Sequence, residues 1–141
     1  MTLTLSAIIP TYRREKYLLH TIRCMLAQSR PPDEILVLDQ TPEGAYQPQT
    51  VRCLRDFDRR GQIRLIKLDR ASVFAARNRA AQEATGEILL YLDDDITPSP
   101  HLAAMHLRHY ADPAVGAVVG SVVLRPDQPL TPVPPSFRRQ P

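Results

Sequence analysis

Short apolar runs alternate with longer amphipathic stretches along most of this chain, and that alternation limits its fold more than any other feature. Leu3 to Ile9 reads as a strand stopped by Pro10. Glu15 to Gln28 follows, with Leu18, Leu19, Ile22, Met25 and Leu26 at helical spacing. After Arg30-Pro31-Pro32, Glu34 to Leu38 is a continuous apolar strand ending at Asp39. A weaker helical pattern spans Gln47 to Arg59, and Gln62 to Leu68 is the next strand. Ser72 is placed to cap a helix from Val73 to Ala84, ended by Gly86, ahead of the strand Glu87 to Leu92. Ser99 and Pro100 read as the cap and first residue of a helix over His101 to Tyr110. Val115 to Leu124 reads as a last strand, with Gly116 and Gly120 inside it.

The order β-α-β-α-β-α-β-α-β, with strands apolar on both faces, predicts an α/β fold: a mostly parallel sheet covered by helices on both sides. A chain of 141 residues amounts to about one domain. Residues 1–125 are read as that domain. Residues 126–141 hold six prolines and are read as an extended tail or linker. In parallel sheets, ligands sit beyond the carboxyl ends of the strands. Three predicted strand ends carry polar residues there: Pro10-Thr11-Tyr12, Asp39-Gln40-Thr41 and Asp93-Asp94-Asp95.

Composition excludes several classes of function. The net charge is +3, and of 18 basic residues only Lys16 and Lys67 are lysines, but no basic block is long enough to argue for nucleic acid. Arginine dominance suits phosphate and carboxylate recognition. Cys24 and Cys53 stand far apart with no Cys-x-x-Cys, so neither a zinc site nor a redox pair is expected, and both are read as reduced, buried thiols. His101, His106 and His109 read as the surface of a helix near the site mouth rather than as metal ligands. The longest apolar stretch, Ala114 to Leu124, is too short to span a bilayer. With no leader pattern at the N-terminus, the expected location is the cytoplasm, including peripheral attachment at the inner membrane face.

The three consecutive aspartates at 93–95 carry the chemistry. Packing gains nothing from three carboxylates at the mouth of a buried strand, since each raises the pKa of its neighbours. Asp93 and Asp95, one residue apart, can turn toward one hard cation, while Asp94 faces the other way. Mg²⁺ or Mn²⁺ accepts such oxygen ligands, using one or two protein carboxylates together with substrate phosphates. A phosphatase using Asp93 as nucleophile and Asp95 as acid would need a later lysine and a later acidic pair. No lysine follows Lys67, and no acidic pair follows Asp95.

The stretch "LSAIIPTYRREKYLLHTIRCMLAQSRPPDEILVLDQTPE" is similar to the opening of family 2 glycosyltransferases of the GT-A fold. "ASVFAARNRAAQEATGEILLYLDDDITPSP" resembles that family's Ala-Arg-Asn helix, Gly-Glu strand and DxD motif. The resemblance covers about residues 3 to 112, with several motifs in order. It implies a Rossmann-like nucleotide-sugar-binding fold and transfer of a sugar, with inversion, from a nucleotide-diphosphate donor of UDP or dTDP type. The acceptor, whether glycan, lipid or other, is left open, and cell-envelope polysaccharide synthesis is the implied setting. Pro10, Thr11 and Tyr12 would line the base pocket and Asp39 would read the base edge, with Gln40 able to bond it. Arg77 would lie near base and diphosphate. Asp93 would meet the ribose or a metal-bound water, Asp95 would hold the Mn²⁺ or Mg²⁺, and Asp94 is grouped with the donor-binding residues.

The sequence departs from the family pattern at three places and lacks one part. Arg13 stands where asparagine is commonest, leaving Arg14 in the later position of that motif. Gln40 and Pro42 replace the second aspartate and the serine of an Asp-Asp-Gly-Ser turn. The family's general base comes from an acid well downstream, yet only Asp112 and Asp127 follow Asp95, and Asp112-Pro113 reads as a helix-ending turn. The chain is therefore expected to be the donor-binding half of a truncated or split enzyme. The alternative is a non-catalytic nucleotide-sugar-binding fragment.

Overall fold

The computed structural model describes residues 3–122. Four parallel strands form one sheet in the order β3-β2-β1-β4: β1 (Leu5–Thr11), β2 (Glu34–Asp39), β3 (Arg64–Lys67) and β4 (Ile88–Tyr91). The helices α1 (Glu15–Leu26), α2 (Pro48–Arg59), α3 (Val73–Glu83) and α4 (Leu102–His109) connect and cover them.

Side-chain alternation along the strands assigns each helix to a face. Leu5, Ala7 and Ile9 of β1 turn one way with Ile35 and Val37 of β2. There they meet Leu18, Ile22 and Met25 of α1, Leu54 of α2 and Ala103 of α4. Ile8 of β1 turns the other way with Leu36 and Leu38 of β2, against Ala76 and Ala80 of α3. The two alanines, one turn apart, leave α3 no bulk on its inner face, so it packs directly against the sheet. Every residue of β1 is buried, because it is central and covered on both sides. The fold is thus α/β, with an all-parallel sheet and helices on both faces.

Five local expectations are corrected, the last of them at Gly86. β1 does not stop at Pro10 but runs through it to Thr11, in register with Asp39. Thr11 O accepts from Gln40 N on the β2 side, whereas Ile8 O accepts from Leu92 N on the β4 side. Pro10 shares the orientation of Ile8, so its missing N–H faces β4 past that strand's last paired residue and breaks no ladder. α4 starts at Leu102 with His101 as its cap, although Ser99 still accepts the Leu102 N–H through its carbonyl. Cys24 and Cys53 are free but only partly buried, and the Cys24 Sγ lies 3.6 Å from His20 Nε2. Residues 115–122, read as the start of a fifth strand, form none. Positions 123 and 124 of that strand, and the proline-rich tail, lie outside the described residues.

Gly86 follows the end of α3 rather than capping it, since Ala84 is the C-cap. A side chain at 86 would place its Cβ 2.6 Å from both the backbone nitrogen and the hydroxyl of Ser6. Only glycine allows β4 to enter the sheet this close to β1, and its N–H donates to the Ser6 hydroxyl at 2.9 Å.

Candidate functional site

The strand order doubles back after β3: the chain steps outward from β1 to β3, then returns to place β4 on the other side of β1. Beyond the carboxyl ends of β1 and β4, where the order switches, lies a cleft of about 550 Å³. Pro10, Thr11 and Tyr12 from the end of β1 form its floor with Gln40. Ala71, Ser72 and Val73 at the start of α3 make one wall, and Arg14 with Asp93, Asp94 and Asp95 makes the other.

The acidic loop is held from below by α1. The buried Thr21 hydroxyl lies 3.0 Å from the carbonyl of Asp94 and 2.9 Å from that of Ile96. Further along, the Gln28 amide donates to Ser99 O at 2.8 Å and accepts from Ala103 N at 3.0 Å. Against this support the three carboxylates part as the spacing predicted. Asp94 turns inward, buried, where Thr11 Oγ1 donates to it at 2.6 Å. Burial raises its pKa, with the Asp95 charge adding to the effect, while the Thr11 bond and Arg14 oppose it. Asp93 and Asp95 turn outward, their side chains 68% and 39% exposed.

Both outward carboxylates meet an arginine. Arg14 donates to Asp95 Oδ2 at 3.0 Å, and Arg77 of α3 reaches Asp93 Oδ1 at 3.4 Å. The Arg77 Nε is buried without a hydrogen-bond partner among the described residues, and Arg77 itself does not line the cleft but reaches it through Asp93. Among the described residues no group of three or more His, Cys, Asp or Glu gathers into a protein-only metal cage. Two exposed carboxylates fit a Mg²⁺ or Mn²⁺ that takes its remaining oxygens from water and a bound diphosphate.

The end of β2 behaves differently. Asp39 is buried and does not line the cleft. It accepts from Lys67 Nζ and Thr41 N, each at 2.9 Å, and from the Tyr46 hydroxyl at 3.2 Å. Burial lifts the Tyr46 phenol to about 12, and the Asp39 charge adds to that rise although the Thr41 bond opposes it, so Tyr46 stays a donor at neutral pH. Gln40 does line the cleft, and its side-chain oxygen accepts from Ser72 N, tying β2 to the cap of α3. Ser72 caps α3 as expected, accepting from Ala75 N at 3.2 Å.

Arg13 holds a backbone conformation unusual for its residue type. Its φ is +54°, in the left-handed region that asparagine tolerates and arginine resists. Its N–H donates to Thr41 Oγ1 at 2.8 Å, and its guanidinium stands 5.4 Å over the ring of Tyr12, contacts that hold the turn. The residues that motif reading missed are Arg14, Ala71, Ser72 as a lining residue, and Val73. Only Arg14 had a sequence signal, its place in the Tyr-Arg-Arg turn.

The model of the family described as Glycosyl transferase family 2 matches residues 6–140. No curated protein sequence matches the chain. Among solved structures, the mannosyltransferase PcManGT from Pyrobaculum calidifontis, in complex with GDP-Man and Mn²⁺, is 27% identical with a TM-score of 0.70. That likeness covers 82% of this chain and 34% of the other. TarS of S. aureus is 23% identical with a TM-score of 0.61, over 77% of this chain and 20% of its own, and supports the fold alone. Its 1–349 form in complex with UDP gives the same identity and TM-score over 33% of that chain. The chain thus spans a fifth to a third of these structures. With the family match running almost its full length and its sheet and helices arranged as in those transferases, the chain belongs to glycosyl transferase family 2.

Proposed function

We propose that residues 1–141 bind the donor of a metal-dependent, inverting glycosyltransferase, seating a nucleoside-diphosphate sugar in the cleft beyond β1 and β4. The observation that carries this reading is the convergence in one cleft of an aromatic base platform, a helix start and two outward carboxylates. Tyr12 and Val73, both part-exposed at the rim, offer faces to a base, and Pro10, Thr11 and Gln40 close the floor. Asp93 and Asp95 would hold Mn²⁺ or Mg²⁺, which when bound neutralises charge on the diphosphate leaving group. Arg77 would approach the diphosphate, and Asp94 would set the loop that presents its neighbours. Asp39 would act from behind Gln40, fixing the Thr41 turn against which the base pocket is built. UDP and dTDP remain the expected donors, while PcManGT, the 27% identical neighbour, was solved with GDP-Man.

Transfer also needs a base for the acceptor hydroxyl. Asp112, the one described acid after Asp95, accepts from Ala114 N at 2.9 Å in a turn after α4. That observation favours a second reading, donor binding without transfer by these residues alone, which comparing donor hydrolysis and transfer with nucleotide binding distinguishes.

Asp95→Asn tests the metal role. It should leave the fold intact, because Asp95 sits on an exposed loop, and weaken UDP binding about tenfold or more in Mn²⁺ but only slightly without it. Equal affinities for the two proteins by calorimetry in Mn²⁺ would remove Asp95 from the site.

A further inference from the structure

We propose that Arg14 is an exchangeable counterion of the site: it pairs with Asp95 when no divalent cation is present and passes to the donor diphosphate when one binds. The inference rests on the donor-binding reading above and assigns a role to a residue which that reading left unused.

Arg14 is anchored by its backbone, not by its side chain. Its carbonyl accepts from Tyr17 N at 3.1 Å and Leu18 N at 2.9 Å, opening α1. The preceding residue is fixed in its left-handed turn by Thr41. The Cα is therefore held while the side chain, 52% exposed, extends along the cleft it lines. Among the described residues this side chain hydrogen-bonds one Asp95 oxygen, at 3.0 Å.

That oxygen belongs to one of the two carboxylates suited to a cation, so metal and guanidinium compete for it. An exposed ion pair of this kind is weak, and a divalent ion carrying a diphosphate can displace it. The displaced guanidinium then lies beside a phosphate group, which its planar fork binds in two-point fashion. In the metal-free state the same contact lowers the repulsion among Asp93, Asp94 and Asp95.

The exchange gives two effects of opposite sign, which a purely structural arginine would not. In Arg14→Gln and Arg14→Ala, Mn²⁺ alone, followed by electron paramagnetic resonance of the free ion, should bind about two- to fivefold more tightly, since its competitor is gone. UDP in saturating Mn²⁺, followed by calorimetry, should bind about tenfold more weakly, since a charge-assisted contact is lost. Thermal unfolding checks that both variants fold, and the glutamine variant keeps most of the side-chain stem. Weaker Mn²⁺ binding in the variants, unchanged Mn²⁺ binding, or unchanged UDP binding would each overturn the exchange. A wild-type chain that binds neither Mn²⁺ nor UDP would overturn the donor-binding reading itself, whereas wild-type binding without opposite shifts overturns only the role of Arg14.

Discussion

Thr11 and Asp94 meet across 83 residues of sequence, and their 2.6 Å hydrogen bond joins the end of β1 to the acidic loop. Thr11→Val keeps the shape of this buried side chain but leaves the carboxylate without its hydroxyl donor. The loss should cost about 1–3 kcal/mol in chemical denaturation at neutral pH, and Thr11→Ser should recover most of it. The penalty should shrink in acid. The pKa of Asp94 is raised in the folded protein, so its ionised form opposes folding at neutral pH and protonation relieves that opposition as pH falls. A valine variant as stable as wild type, or equally impaired at both pH values, would contradict the pairing. At this scale the sequence was partly legible. The one-residue spacing of Asp93 and Asp95 told which carboxylates face outward, because alternation is local. The arginines that neutralise them, Arg14 and Arg77, stand 81 and 16 residues away from their partners, and no local pattern encodes such contacts.

The elements were more legible than their ends. Four strands and four helices were expected where they stand, because continuous apolar runs and helical spacing report burial directly. Pro10 misled because a proline reads as a strand end, and only the positions of both neighbouring strands show that its missing N–H is harmless. Val115 to Leu124 was expected as a fifth strand, but an apolar run cannot supply an edge to pair with, and the described part of that stretch pairs with none. Gly86 shows the same dependence on tertiary context. Gly86→Ala would drive a Cβ into Ser6 and force β4 away from β1, costing about 1–3 kcal/mol by chemical denaturation. Gly116→Ala, where a Cβ meets nothing within 4 Å, should change stability little. Equal stabilities for the two variants would show that β4 can shift freely.

Across the whole molecule, one arrangement accounts for the cleft. Parallel strands point all their carboxyl ends the same way, and the return of β4 beside β1 opens a crevice where the polar ends gather. The direction of the strands and the polar ends were readable in the sequence. The strand order was not, and with it went the finding that Asp39 stands behind the cleft while Gln40 lines it. Another cleft among the described residues is of a different kind: about 440 Å³, on the outer face of α2, lined by Arg52, Arg55, Asp58 and Arg59. An anionic nucleotide could be drawn there by charge alone, so location decides between a built donor site and simple attraction. The most direct test is to map backbone amide shifts by NMR as UDP and Mg²⁺ are titrated into the chain. The account requires saturable changes centred on Thr11, Tyr12, Gln40, Ser72, Val73 and Asp93 to Asp95. Changes centred on Arg52, Arg55 and Arg59 instead, with the β1–β4 cleft silent, would contradict it.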